Sequence, residues 1–153
     1  MPETLLSPYA KLVASATTVT TSAVLGSAFT LPAADSYAFI LDVGTVTGTS
    51  PTFDVELEHS PDGGTTWYAF ARFAQVSATG QRRIVIQPTQ GRGEAGTEAA
   101  ITTHGTNSAL NANCPIMCTA SSSVQAYVSV SGTSPSAATI KLWVIAAPRA
   151  TAV

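Results

Sequence analysis

A turn sequence flanked by two alternating runs constrains the fold of this chain most strongly. The turn is Ser60-Pro61-Asp62-Gly63-Gly64-Thr65-Thr66-Trp67, and apolar residues alternate with other residues in 53–58 and 67–73. Period-two alternation on both sides of an Asp-Gly-Gly turn predicts a β-hairpin. Gly63 and Gly64 can adopt positive φ there, and the Asp62 carboxylate can accept hydrogen bonds from the turn's own amides.

The alternation also predicts which side chains share a face. Matching faces across the turn pairs Asp54 with Arg72, or shifts the register by two residues, and places Phe53 and Phe73 in the same core. Tyr68 and Phe70 then point outward beside Glu56 and Glu58. The 139–145 strand is also apolar on both faces, so the second face of each strand requires a cover. The candidate interface is made of aromatic residues: Tyr68, Phe70 and Trp143.

The rest of the chain predicts an all-β fold. Thr and Val are dense, Gly and Pro recur, and apolar residues alternate rather than returning every three or four positions. We expect a β-sandwich or jelly roll of eight or nine short strands, with a barrel as the other closed arrangement. The predicted strands are Ala10–Ala16, Thr17–Leu25, Tyr37–Val43, Thr52–His59, Trp67–Gln75, Arg82–Gln87, Ile116–Ala120, Val124–Ser131 and Thr139–Ile145.

We expect one domain, because 153 residues suffice for one sizeable core. Turn-rich segments at 31–35, 44–51, 77–80 and 132–136 separate the strands. Residues 88–113 are rich in Gly, Thr and Asn and predict a long loop that orders against a neighbouring subunit. Residues 1–8 and 146–153 are predicted to be terminal arms outside the sandwich.

The composition favours assembly with other proteins. Charged residues make up 10% of the chain, against roughly 25% in an ordinary soluble protein. The net charge of -2 and the scattered basic residues lack the basic stripe that nucleic-acid binding needs. Neither a signal peptide nor a membrane-spanning segment is predicted, so we expect cytoplasmic synthesis.

No catalytic or metal-binding arrangement is predicted. Asp54, Glu56 and Glu58 are interpreted as a solvated strand face, because catalytic carboxylates need unlike environments. His59 and Ser60 are adjacent and point to opposite faces, so the histidine is badly placed as a base. Cys114 and Cys118 would lie about 13 Å apart on a straight strand, too far for a disulfide. We therefore expect buried free thiols, no cofactor, no metal and no enzyme.

The turn resembles an Asp-box. Residues 60–67 fit its Ser-x-Asp-x-Gly-x-Thr-Trp pattern. In sialidase-like propellers this motif is a structural hairpin that recurs in each blade, away from the chemistry. Its single occurrence here argues against a propeller and against glycosidase activity.

The Asp62 hairpin is preceded by the run Gly44-Thr45-Val46-Thr47-Gly48-Thr49-Ser50-Pro51-Thr52-Phe53-Asp54-Val55. With these two pieces, residues 37–73 resemble small structural proteins of tailed-phage virions. The resemblance implies a capsid decoration (cement) protein, or else a neck or tail component. The implied partners are the chain itself, as a homotrimer or another symmetric oligomer, and the major capsid protein. The implied location is the capsid exterior, and no catalytic residue carries over.

A carbohydrate-binding β-sandwich module is the alternative. Tyr68, Phe70 and Trp143 would form its stacking platform, and Glu56 and Glu58 would supply the polar side chains beside it. The mass in solution distinguishes the two hypotheses, since a trimer favours the cement protein and a glycan-binding monomer favours the module.

Overall fold

A computed structural model describes residues 9–32, 34–86 and 123–148, and these ranges are almost entirely β-strand. The all-β prediction is confirmed. Six strands form one antiparallel sheet. The described ranges contain no helix, and therefore no helix that could cross a membrane. The strands are β1 Tyr9–Val19, β2 Ala23–Thr30, β3 Ala34–Ser60, β4 Tyr68–Arg72, β5 Gly80–Ile86 and β6 Ser123–Pro148.

Two long strands replace several of the short ones that the sequence predicted. β3 and β6 pair with each other from Ala34↔Pro148 to Ser60↔Ser123. The predicted turns at 44–51 and 132–136 lie inside these strands, where the pairing register shifts repeatedly between Val43 and Thr52. Glycine and proline there interrupt the ladder without reversing the chain, because each strand keeps its partner on both sides of the irregular stretch.

The irregular stretch divides the sheet into two halves. In the first half, β1 and β5 flank residues 34–47 of β3 and 137–148 of β6. In the second half, β2 and β4 flank residues 49–60 of β3 and 123–133 of β6. The sheet is nearly closed, and one hydrophobic cluster draws residues from all six strands. The core therefore lies between the two halves of a single sheet.

The break between β1 and β2 corrects the predicted strand Thr17–Leu25. The chain leaves β1 at Val19 and enters β2 at Ala23, where it moves from the C-terminal part of β6 to its N-terminal part. The Ser22 hydroxyl accepts a hydrogen bond from the Val130 N–H at 2.9 Å. This bond satisfies a strand amide at the point where neither β1 nor β2 pairs with β6.

The register of the predicted hairpin also needs a correction. Arg72 pairs with Glu56 rather than with Asp54, the shift by two residues that parity allowed. Leu57 then pairs with Ala71 but Glu58 with Ala69, so a β-bulge leaves Phe70 without a direct partner. One extra residue inverts the alternation that follows. Phe53 and Phe73 nevertheless share the core, and both are fully buried.

The predicted segments outside the sandwich fall mostly beyond the described residues. These are the arm 1–8, the loop 88–113 with the strand Ile116–Ala120 and both cysteines, and residues 149–153. The predicted C-terminal arm was wrong at its start, because Ala146–Pro148 belong to β6. Ala146 pairs with both Tyr9 and Tyr37 and is buried.

Candidate interaction surface

The turn between β3 and β4 holds its shape through the Asp62 carboxylate. One of its oxygens accepts hydrogen bonds from the Ser60 hydroxyl at 2.7 Å and from the backbone N–H groups of Thr65 and Thr66 at 3.1 and 2.8 Å. The Thr66 N–H, followed by the Ser60 hydroxyl, lowers the pKa of Asp62 well below its usual range. The carboxylate is thereby engaged within its own loop.

The remaining turn residues complete this local structure. Gly63 and Gly64 adopt φ of 75° and 104°. The Gly64 N–H donates to the Ser60 hydroxyl oxygen at 2.7 Å, and the indole N–H of Trp67 donates to the Gly64 carbonyl at 3.1 Å. Trp67 is buried beneath the turn. The Ser60 hydroxyl points its proton at Asp62 and not at a histidine.

The carboxylates of β3 were wrongly interpreted as a solvated face. Glu56 and Glu58 are 2% and 0% exposed, whereas Asp54 is half-buried. Glu58 accepts a hydrogen bond from the Gln125 side-chain amide at 2.7 Å. Polarity was the wrong criterion for exposure, because the paired strand supplies Gln125 as the polar partner that the buried Glu58 carboxylate needs.

His59 does not combine with these carboxylates. It follows Glu58 directly on the strand and therefore faces the other way. Its ring lies 5.9 Å from that of Phe70 and 6.1 Å from that of Tyr68, measured between centroids. Burial lowers the pKa of His59, so the imidazole is neutral at pH 7. Within the described ranges, no three His, Cys, Asp or Glu residues are grouped to hold a metal ion.

The predicted aromatic patch does not form. Phe70 is 1% exposed and packs edge-on against Phe39, with ring centroids 6.3 Å apart. Tyr68 is half-buried beside His59. Trp143 lies in the first half of the sheet, paired with Leu12 and Ile40. The bulge at Phe70 explains the error, since it turns Tyr68 and Phe70 away from the carboxylate face.

Trp143 instead belongs to an apolar surface on the first half. On the side of the sheet that faces away from the core, residues from β1, β6, β3 and β5 form three adjacent rows. We call this surface the outer face. Its rows are Leu12-Trp143-Ile40-Arg83, Ala10-Ile145-Ala38-Val85 and Lys141-Asp42-Gln81.

The outer face is more apolar than a solvated sheet surface needs to be. Val85, Leu12 and Trp143 are 47%, 39% and 39% exposed, and Ile40 and Ile145 are half-buried between them. Its charged side chains are Arg83, Lys141 and Asp42. Single exposed apolar residues are ordinary, whereas a contiguous group marks an interaction surface.

Sequence reasoning named Trp143 as a candidate interface residue but did not identify the surface that surrounds it. Leu12, Ile40 and Val85 were not assigned to it. One signal was available, because Ile40 and Ala38 alternate with Phe39 and Leu41 and make that strand apolar on both faces, like the last one. Which of these strands are neighbours depends on the pairing of β1 and β5, which local alternation does not contain.

No family model, curated protein or solved structure matches the chain.

Proposed function

We propose that this chain is a structural virion protein that decorates and stabilises the capsid of a tailed phage. It assembles as a symmetric homo-oligomer and binds the lattice of major capsid subunits. The observation that carries the proposal is the outer face, an exposed apolar surface on a rigid β scaffold. A protein whose role is to pack against other proteins needs such a surface.

Three further features support this function. The chain carries 10% charged residues, so little of its surface is suited to remaining alone in water. The segment 37–73 resembles small virion proteins. Two of the titratable groups that sequence reasoning tested for chemistry make contacts within the fold, since Glu58 binds Gln125 and Asp62 binds its own turn.

The aromatic platform that the carbohydrate-binding alternative requires is not present, because its three residues do not lie together on one exposed face. Phe70 is buried, Trp143 lies in the other half of the sheet, and Glu56 and Glu58 are buried. No observation favours that function over assembly.

Binding to capsids tests the proposal directly. Purified full-length protein is mixed with capsids of the phage that encodes it, prepared without this chain, and sedimented. Cryo-electron microscopy of the particles then locates the bound protein. The proposal expects saturable binding at repeated lattice positions and capsids that resist heating better. Density only at the portal vertex or the tail indicates the neck or tail role, and no binding to any part of the virion contradicts the proposal.

The contribution of the ends is a separate prediction. We expect residues 1–8 and the loop 88–113 to contact the lattice, together with 149–153. The C-terminal truncation must stop before Pro148, because Ala146–Pro148 are paired in β6. Deleting 1–8 and 149–153 should weaken capsid binding and leave the melting temperature unchanged. Equal binding by the truncated and full-length proteins contradicts a role for the ends.

A further inference from the structure

We propose that the outer face binds a second copy of this chain, face on face, about a two-fold axis. The inference names the partner of the surface described above and rests on the proposed function for its biological setting.

Neighbours across β6 and β3 on the outer face are unlike in charge or size. Lys141 lies beside Asp42, a cation beside an anion. Trp143 lies beside Ile40, and in the next row Ile145 lies beside Ala38, in each case a larger side chain beside a smaller one. At these three positions the β6 and β3 side chains are therefore complementary to each other.

A two-fold axis can lie in the interface between the two copies, parallel to β6 and β3 and midway between them. Rotation about this axis places β6 of one copy over β3 of the other. It places Lys141 of one copy over Asp42 of the second copy, and Trp143 over Ile40. In the next row it places Ile145 over Ala38. The same rotation brings β1 over β5 at the two edges of the face, so that Ala10 meets Val85 and Leu12 meets the stem of Arg83. On the two central strands, β6 and β3, a single symmetry operation thus matches charge with opposite charge and larger side chains with smaller ones.

This correspondence favours a second copy over an unrelated partner. A two-fold interface uses the same patch on both subunits and must be complementary to itself. A surface that binds a different protein does not need side chains on β6 that are complementary to those on β3. The charges also argue against a partner whose surface is uniformly acidic or uniformly basic, because Lys141 and Asp42 are adjacent and of opposite sign.

The size of the face predicts a weak dimer. Four strands about 4.8 Å apart, with six residues of each at about 3.4 Å, cover roughly 20 by 20 Å. That area is about half of the ~800 Å² per partner of a standard interface. Packed sheets also cross at about 30°, which concentrates contact at the centre, near Trp143 and Ile40. We expect dissociation in the micromolar range or weaker.

Sedimentation of the full-length chain from about 1 µM to about 1 mM tests the dimer. We expect a reversible monomer–dimer equilibrium. Trp143→Asp should raise the dissociation constant at least tenfold. Val24→Asp is the matched control, because Val24 is equally exposed at 41% but lies on β2 in the other half. It should leave the equilibrium unchanged. Circular dichroism and melting curves check that both variants fold.

Charge reversal tests the two-fold register itself. Asp42→Lys and Lys141→Asp should each abolish dimerisation, because each variant sets like charges against each other across the axis. An equimolar mixture of the two variants should restore a dimer, since the lysine introduced into one variant then meets the aspartate introduced into the other. The pair within each chain stays mismatched in the mixture. Rescue therefore reports the contact between copies and not the fold.

Each result decides the inference. A chain that is monomeric to about 1 mM, a trimer, equal loss with Val24→Asp, or a mixture that stays monomeric overturns it. Capsid binding without a dimer contradicts this inference alone, whereas a dimer that binds no virion part contradicts only the proposed function.

Discussion

At the scale of single residues, close backbone approach and local hydrogen bonds decide which substitutions the fold tolerates. Gly26 and Gly63 have nearly the same φ, 71° and 75°. Their surroundings differ, because a Cβ at Gly26 would lie 2.1 Å from the Val13 carbonyl oxygen, whereas a Cβ at Gly63 would meet nothing within 4 Å. Comparing substitutions at these two glycines therefore distinguishes the cost of positive φ from the cost of a steric clash.

We predict that Gly26→Ala destabilises the protein far more than Gly63→Ala. Both variants place a Cβ in the left-handed region, at a cost of about 1–2 kcal/mol. Only Gly26→Ala also forces apart the backbones of β1 and β2. Urea unfolding measures both free energies. Equal losses in the two variants would show that β1 moves aside freely and would contradict the packing described here.

Asp62 should make stability depend on pH. Its folded-state pKa is depressed below the ordinary 3.8. The stabilisation from the carboxylate is therefore present above about pH 4 and is lost as the pH falls towards the folded-state pKa. Asp62→Asn should lower the melting temperature at pH 7, and its difference from the natural protein should shrink below about pH 4. Asp54→Asn is the control, because Asp54 accepts from the exposed Gln75 side chain and not from turn amides.

At the scale of elements, polar side chains of neighbouring segments meet at both buried and exposed positions of the sheet. Glu58 is fully buried with Gln125 against it, whereas Asp54 and Gln75 make the same kind of contact at the surface. The two pairs allow a matched comparison of buried and exposed bonds.

Gln125→Ala should cost about 1.5–3 kcal/mol, because it removes a hydrogen bond to a buried carboxylate. Gln75→Ala removes an exposed bond of 3.2–3.3 Å and should change the unfolding free energy by less than about 0.5 kcal/mol. Chemical denaturation of both variants provides the test. Comparable values would mean that the Glu58–Gln125 contact contributes no more than a solvated one.

At the scale of the whole molecule, β3 and β6 hold the two halves together. They are the long strands that run through both halves, and each has paired strands on both sides. Unfolding either half separately would require breaking the pairing at the irregular stretch. We therefore expect a single cooperative unfolding transition.

Native-state hydrogen exchange should show this organisation. Amides in 37–43 and 53–57 of β3 and in 140–144 of β6 should exchange most slowly, by global unfolding. Amides of β5 should exchange faster, because β5 pairs with β3 alone among the described strands. Slower exchange in one half of β3 than in the other would indicate two separate units and contradict a shared core.

Local sequence was sufficient to predict the features that depend on neighbouring residues. Alternation and turn composition were enough for an all-β chain, the turn at 60–67 and the shared core of Phe53 and Phe73. These features depend on the φ preferences of turn residues and on the alternation of side chains between the two faces of a strand, which are properties of short segments.

Three features depend on pairing between distant segments: which strands continue, which strands are central, and where a bulge shifts the alternation of faces. Residues 44–51 have turn composition yet continue β3, because β6 pairs with it on both sides. One bulge at Phe70 moved two aromatic residues off the predicted surface. Glu58 is buried and Trp143 exposed because burial depends on what packs over a side chain, which polarity alone does not specify.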